Sequence, residues 1–471
     1  MLLSNLILNL RLHPKQGIAF QSNATEILYG GACGGGKSHL LRVAAIAWCF
    51  DIPGLQVYLF RRIFPDLIKN HMEGPTSFPA LLLPWVGSKH VKINYSDNDI
   101  QFWNGSKIFL CHCQYEKDVE KYQGPEIHVL MIDELTHFLG SMYRYLRGRV
   151  RLGGLKIPEK YKPMFPRILS ASNPGSIGHN WVKAAFIDPV KPLEMWTTGK
   201  GEGGMMRQFI PARLEDNPTL TEADPKYSER LEAYGDPALV RAMLSGDWDI
   251  VAGGAFDDIW NPDIHVIPYF EPPQSWYVDR SFDWGSSHPF SVGWWAESDG
   301  TQAPNGKHYP RGTLFRIAEY YGWNGQPNEG NHMNAAEIGR KVVEIEKGFK
   351  FHVKPGPADT QIFDSDVSFA ADMERVGCRW TRADKSPLSR KTGFEKMRAA
   401  LKASTAKPLE EPGLFIMDTC RQFIRTVPVL PRSKTDPDDV EKDSEDHVYD
   451  EARYRLFTIR PQLFQVRLSE H

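Results

Sequence analysis

The sequence predicts an α/β protein of two units, the first built on a mostly parallel sheet and the second on a sheet that begins antiparallel. Three observations carry this. Short β-branched or aromatic runs at Glu26–Tyr29, Gln56–Phe60, His128–Ile132 and Arg167–Ala171 are separated by helix-compatible stretches, as buried parallel strands are. A glycine-rich turn lies between the first run and a helical stretch over Ser38–Phe50. Beyond about residue 250 the rhythm changes. Candidates at Trp276–Phe282, Phe290–Ala296 and Leu314–Tyr321 are joined by turns, and strands near Phe351–Val353, Cys378–Trp380 and Leu414–Met417 then alternate with helices.

Each part has a local reason. Between Val91 and His112, alternating residues broken by Asp97-Asn98-Asp99 and Asn104-Gly105 read as an inserted β-meander decorating the first sheet. Turn residues from Glu215 onward, then Gly246-Asp247-Trp248 and Gly253-Gly254, mark a junction, giving units at residues 1–250 and 271–471 with a linker over residues 251–270. Three antiparallel strands followed by α/β units is the order of a ribonuclease-H-like fold.

Composition sets the outer limits. With 471 residues, 41% apolar and 24% charged, the chain is neither disordered nor fibrous. A formal charge of −2 leaves any nucleic-acid binding to local basic surface. The longest apolar stretch, Val43–Phe50, is far short of the roughly 20 residues that cross a bilayer, so no membrane association is expected. The first residues lack a basic leader and cleavage site, so no secretory signal is expected either. Six scattered cysteines suit a reducing cytoplasm, and Cys111-His112-Cys113 lacks the second half of a zinc site, so buried thiols are expected there.

The chemistry begins at Gly30-Gly31-Ala32-Cys33-Gly34-Gly35-Gly36-Lys37-Ser38, which contains G-x-x-x-x-G-K-S in register from Gly31, after a strand and before a helix. Gly31, Gly34, Gly35 and Gly36 let backbone N–H groups converge on a polyphosphate, and the helix N-terminus adds partial positive charge. Lys37 is placed to reach the β- and γ-phosphates of ATP and Ser38 to ligate Mg²⁺. The run His128–Ile132 ends in Asp133-Glu134, at the strand edge where parallel sheets bind ligands. Asp133 is expected to hold magnesium and Glu134 to polarise the attacking water. A third strand ends in Ser170-Ala171-Ser172-Asn173-Pro174-Gly175, where Ser172 and Asn173 can sense the γ-phosphate or simply form an Asn-Pro turn. Gln16, in His13-Pro14-Lys15-Gln16, is a candidate for reading the adenine edge.

The second half offers carboxylates. Asp283 ends one strand candidate and Asp359 another, with Asp364 and Asp366 as alternatives to Asp359. Asp446 and Asp450 share a helix face at a spacing of four, while the early part of the tract from Asp436 to Glu451 reads as a solvated loop. Such a cluster calls for divalent cations, Mg²⁺ or Mn²⁺, that activate water against a phosphodiester. The expected reaction is metal-dependent DNA cleavage.

Taken together and in order, these motifs resemble the large terminase subunit of tailed bacteriophages over nearly the whole chain. The resemblance also rests on Glu215-Asp216-Asn217-Pro218, Gly246-Asp247-Trp248, Phe282-Asp283-Trp284-Gly285, Ala358-Asp359 and Asp446-His447 through Arg453-Tyr454. It implies an ASCE-type P-loop ATPase joined to a ribonuclease-H-like nuclease, ATP-driven translocation of double-stranded DNA into a prohead, and cutting of concatemers. It makes Gln16 the adenine-reading residue, Ser172-Asn173 the coupling motif, and Asp283, Asp359, Asp446 and Asp450 the nuclease metal ligands. The implied partners are double-stranded DNA, the portal protein, the small terminase subunit and further copies in a ring, a pentamer, acting in the host cytoplasm while docked transiently on the prohead. Some relatives carry an arginine finger before a glycine where this chain has Tyr122-Gln123-Gly124; Arg61, Arg62, Arg144, Arg147 and Arg149 are the alternatives. Arginines from Arg144 to Arg151 suit DNA phosphates or a solvated helix face equally. A P-loop helicase or recombination ATPase with a branched-DNA nuclease is the alternative reading.

Overall fold

The structure, a computed structural model, describes residues 10–233, 240, 244–248, 254–364, 368–433 and 435–458. The chain divides into two compact units, Met1–Asp257 and Asp258–His471.

In the first unit the apolar runs form parallel strands because each is buried on both faces. Among the described residues the strands are β1 (Glu26–Gly31), β2 (Gln56–Arg61), β3 (Val91–Asn94), β4 (Asp99–Phe102), β5 (Lys107–His112), β6 (Val129–Asp133), β7 (Arg167–Ser172), β8 (Met195–Thr197) and β9 (Met206–Ala212). They join in the order β3-β4-β5-β2-β6-β7-β1-β9-β8. The six strands from β5 to β9 are parallel; β3, β4 and β8 run antiparallel to their neighbours. Alternation along each strand divides the core. Ile27, Val57, Leu59, Met131 and Leu169 face one apolar cluster, and Leu28, Tyr58, Phe60, Leu130 and Ile168 face another.

Two expectations for this unit change. The meander is not decoration, since β5 pairs in parallel with β2 over six residues and so extends the main sheet. The strands β8 and β9 were not expected. Polar Arg207 and Gln208 and the proline at Pro211 disguise β9, yet it lies beside β1 with Arg207 opposite Glu26. Both side chains are buried, with Arg207 Nε 2.8 Å from Glu26 Oε2. A charge pair satisfied inside a sheet leaves no apolar signature for a periodicity reading.

The second unit holds β10 (Val266–Ile267), β11 (Tyr277–Asp283), β12 (Ser291–Glu297), β13 (Leu314–Tyr321), β14 (Pro357–Ala358), β15 (Thr381–Arg382) and β16 (Leu414–Met417), in the order β10-β16-β13-β12-β11-β14-β15. β11, β12 and β13 are antiparallel, and β14, β15 and β16 join in parallel, the order read from the sequence for a ribonuclease-H-like unit. Three local expectations shift. Phe351–Val353 form no strand, and the strand comes later at Pro357–Ala358. The run Cys378–Trp380 leads into the strand Thr381–Arg382 rather than being it. Val266–Ile267, within the stretch read as linker, pair with β16.

All six cysteines are free, five of them buried, including Cys111 and Cys113. No helix among the described residues is long and apolar enough to cross a membrane.

Candidate functional sites

β1 ends at Gly31 and the next helix begins at Lys37, with Gly34 and Gly36 at φ of +75° and +73° in the turn between. That left-handed backbone is open to glycine at little cost. Three successive carbonyls of this turn are tied down. Asn217 Nδ2 donates to Gly34 O at 2.7 Å, the Tyr29 hydroxyl to Gly35 O at 3.0 Å, and Gln16 Nε2 to Gly36 O at 2.8 Å. In a trans peptide each following N–H points the opposite way, so anchoring the carbonyls turns the N–H groups of Gly35, Gly36 and Lys37 outward as a cradle for an anion. The structure thus places Gln16 against the loop backbone. It is buried, and its Oε1 also accepts from the His13 N–H at 2.8 Å.

The edges of β6 and β7 complete this site. Asn70 Nδ2 donates to Ser38 Oγ at 3.0 Å and to Asp133 Oδ2 at 2.9 Å, so one amide spans the hydroxyl and the acid. His71 Nε2 lies 3.1 Å and Arg61 Nη1 3.5 Å from the same carboxylate oxygen. Arg42 Nη1, a donor only, stands 3.5 Å from His71 Nδ1, which makes Nδ1 the acceptor and leaves the Nε2 proton for Asp133. Burial pushes the Asp133 pKa up, but the His71 hydrogen bond, Arg61 and Asn70 outweigh it and draw it down to about 2. Glu134 moves the other way: removal from water and the neighbouring Asp133 charge raise its pKa. Its backbone sits at φ +58°, strained for a residue with a side chain.

Lys37 crosses to β7. Its Nζ donates to Asn173 Oδ1 at 2.5 Å and to Ala32 O at 2.6 Å. Ser172 and Asn173 are in turn held by Thr136, whose hydroxyl is 2.9 Å from Ser172 Oγ and donates to Asn173 O at 3.1 Å. Lys37, Ser38, Asp133, Glu134, Ser172 and Asn173 are therefore one connected set. Of the alternative arginines, Arg61 reaches it. Arg62 donates to Gln114 O and His137 O, Arg147 pairs with Glu26 and Glu202, and Arg149 stacks on Tyr145. Burial lowers the pKa of Arg144.

In the second unit, Phe282 of β11 is in register with Ala358 of β14, so Asp283 and Asp359 follow side by side, and the Asp359 N–H donates to Phe282 O at 3.0 Å. Asp446 stands just before the helix His447–Phe457, and Asp450 lies one turn in. These four acids are brought together. Burial raises Asp283 to about 6, with Asp450 and Asp359 adding to it, and burial with Asp450 raises Asp446 to about 7. Cationic and hydroxyl groups answer them. His447 Nδ1 lies 3.4 Å from Asp283, with a pKa raised to about 8 because Asp283 and Asp446 outweigh its burial. The Tyr454 hydroxyl donates to Asp283 at 3.2 Å, and Lys385 Nζ to Asp359 at 2.6 Å. Arg390 donates to Asp446 at 3.1 Å, Asp450 at 3.2 Å and Asp439 at 2.6 Å. The alternative Asp364 instead pairs with Arg382 near the surface, and Asp366 lies outside the described residues.

An all-carboxylate donor set suits a hard divalent cation such as Mg²⁺ or Mn²⁺, and the crowding that raises two of the acids is what such an ion relieves. As the side chains stand, no group of three or more His, Cys, Asp or Glu among the described residues is arranged to hold a metal ion. Sequence reading missed Asn70, His71, Thr136, Lys385 and Arg390. Each lies far along the chain from the motif it serves and belongs to no short pattern of its own.

No family model matches the chain, and no curated protein matches it. Solved structures do. The large terminase of a thermophilic bacteriophage, in complex with ADP, is 17% identical over 95% of this chain and 99% of that chain, with a TM-score of 0.40. The large terminase of bacteriophage HK97 is 11% identical over 95% of each chain, with a TM-score of 0.46. The nuclease domain of the P22 large terminase is 14% identical over 43% of this chain and 90% of that chain, with a TM-score of 0.30. The chain is similar to these phage large terminases.

Proposed function

We propose that this protein is a large terminase subunit, which uses ATP hydrolysis to drive double-stranded viral DNA into a prohead and cuts concatemeric DNA in a metal-dependent reaction. The observation that carries the reading is the single Asn70 amide shared by Ser38 and Asp133. It brings a phosphate-loop hydroxyl and a strand-end carboxylate to one point, as magnesium-dependent nucleotide hydrolysis needs.

In this reading the N–H groups turned outward by Asn217, Tyr29 and Gln16 hold the phosphates, and Lys37 exchanges Asn173 for the γ-phosphate. Ser38 and Asp133 hold Mg²⁺, which when bound neutralises charge on the β- and γ-phosphates. Glu134, poised by its raised pKa and strained backbone, orients and deprotonates the attacking water. Arg61 supplies positive charge at the same edge. Because Lys37 and Thr136 both engage Asn173, the state of the phosphate reaches β7 through that residue. Asp283, Asp359, Asp446 and Asp450 hold the divalent cation of the nuclease, which when bound supplies an activated water for phosphodiester cleavage. The partners that follow are duplex DNA, the portal protein, the small subunit and a pentameric ring of copies, in the host cytoplasm and on the prohead.

Two full-length variants test the division of labour. Lys37→Ala should abolish ATP hydrolysis and leave Mg²⁺- or Mn²⁺-dependent cleavage, and Asp283→Asn should do the reverse. Loss of both activities in either variant overturns the assignment. Portal-dependent DNA uptake supports the motor, whereas strand displacement without a portal favours a helicase.

A further inference from the structure

We propose that Lys385 and Arg390 are DNA-phosphate-binding residues that, without DNA, clamp the nuclease acids, so that divalent metal loads tightly only when duplex is present. This rests on the nuclease reading above and adds to it the control of metal entry.

Lys385 lies on the short connection between β15 and the helix Ser389–Ser404, and Arg390 lies in the first turn of that helix. Between them they engage three of the four acids: Lys385 holds Asp359 at 2.6 Å, and Arg390 forks across Asp446 at 3.1 Å and Asp450 at 3.2 Å. The third nitrogen of Arg390 is taken by Asp439 at 2.6 Å. A guanidinium in that position and a metal ion compete for the same carboxylate oxygens.

The clamp is open to exchange from one side. Lys385 and Arg390 keep 32% and 28% of their side chains exposed, whereas Asp359 and Asp446 keep 8% and 11%. A phosphate therefore meets the cations before it meets the acids. Guanidinium binds phosphate in the same two-pronged geometry as carboxylate, so moving to DNA costs Arg390 little of its bonding. Leu388, between the two cations, sits at φ +70°, a strained backbone for a residue with a side chain, and its side chain is 74% exposed, while its carbonyl accepts from the Thr392 N–H at 2.9 Å. When DNA phosphates take the two cations, the acids recover their full negative charge and a divalent ion replaces the lost compensation. No bond is made or broken in this exchange; only ionic partners change.

The test is Mn²⁺ binding to the full chain without nucleotide, read by the electron paramagnetic resonance of free Mn²⁺, with and without a phosphorothioate duplex that resists cleavage. For the unaltered protein, duplex should tighten Mn²⁺ binding at least about tenfold, the scale of one charge-assisted contact released. Arg390→Gln should bind Mn²⁺ tightly without duplex and gain little from it. Its DNA affinity should fall, with a salt slope lower by about one. Lys385→Gln, which leaves the Arg390 contacts in place, should move both readouts the same way to a smaller degree and guards against misfolding of the first variant. Mn²⁺ bound equally tightly with and without duplex, and lost in Asp283→Asn, overturns the clamp while leaving the metal nuclease standing. Mn²⁺ bound by no form of the protein, duplex present or not, overturns the nuclease reading and the clamp with it.

Discussion

Lys37 Nζ donates to Asn173 Oδ1 at 2.5 Å, joining the phosphate loop that follows β1 to the end of β7. The same Asn173 offers its backbone N–H to Glu134 and its carbonyl to Thr136. One residue thus touches the lysine expected to reach the phosphates, the expected base, and Thr136 in the turn after β6. Asn173→Ala should leave nucleotide affinity nearly unchanged and lower the kcat of ATP hydrolysis by up to about 100-fold, the cost of a reacting group held slightly out of place. Steady-state hydrolysis with a separate nucleotide-binding measurement checks this, and an unaltered kcat removes Asn173 from the path.

Asn70 should matter through magnesium. With its amide on both Ser38 and Asp133, Asn70→Ala frees the Ser38 hydroxyl to rotate and removes one of the three groups that hold Asp133. Outer-shell partners of metal ligands are commonly worth about 10- to 100-fold in metal affinity. The Mg²⁺ concentration for half-maximal ATP hydrolysis should rise on that scale, with ADP binding in the absence of Mg²⁺ unaffected.

Gly36 tests the loop's shape. At φ +73°, an added Cβ would lie 2.4 Å from Gln16 Nε2. Gly36→Ala should abolish nucleotide binding as followed with a fluorescent ATP analogue. The left-handed backbone at this position adds a cost of about 1–2 kcal/mol for a non-glycine residue.

Glu451 tests what holds the Asp446–Asp450 helix to the second sheet. It is fully buried, pairs with the equally buried Arg316 of β13, and accepts from Ser281 of β11 and from Trp295 Nε1 of β12. Glu451→Ala strips the buried guanidinium of its nearer carboxylate, leaving Glu319 at 3.5 Å from its Nε, and should cost up to about 3–5 kcal/mol. Chemical denaturation of the full chain should register this as a lower midpoint for one transition. Replacing the pair together, Arg316→Met with Glu451→Leu, should recover most of the loss.

Much of the fold was legible because buried parallel strands and glycine turns leave local marks. Leu314–Tyr321 and Leu414–Met417 run as strands to the residue, and Gln56–Phe60 differs by one position. β9 was illegible because its polar residues are satisfied by partners distant in the chain: Arg207 by Glu26, and Gln208 by Leu193 O and Ser22. Asp359 was legible as a strand-end acid, but its place beside Asp283 follows from the register of Phe282 with Ala358.

By itself the sequence determined which groups of this protein can do chemistry. A G-x-x-x-x-G-K-S turn, an Asp-Glu pair and four spaced aspartates are local patterns, set by residue type and short spacing. Tertiary structure alone decided what those groups face: Asn70 between Ser38 and Asp133, Asn173 against Lys37, Lys385 and Arg390 over the acids. Such contacts depend on strand order and register, and hydrogen bonds and ion pairs act over a few ångströms of space irrespective of how many residues separate the partners.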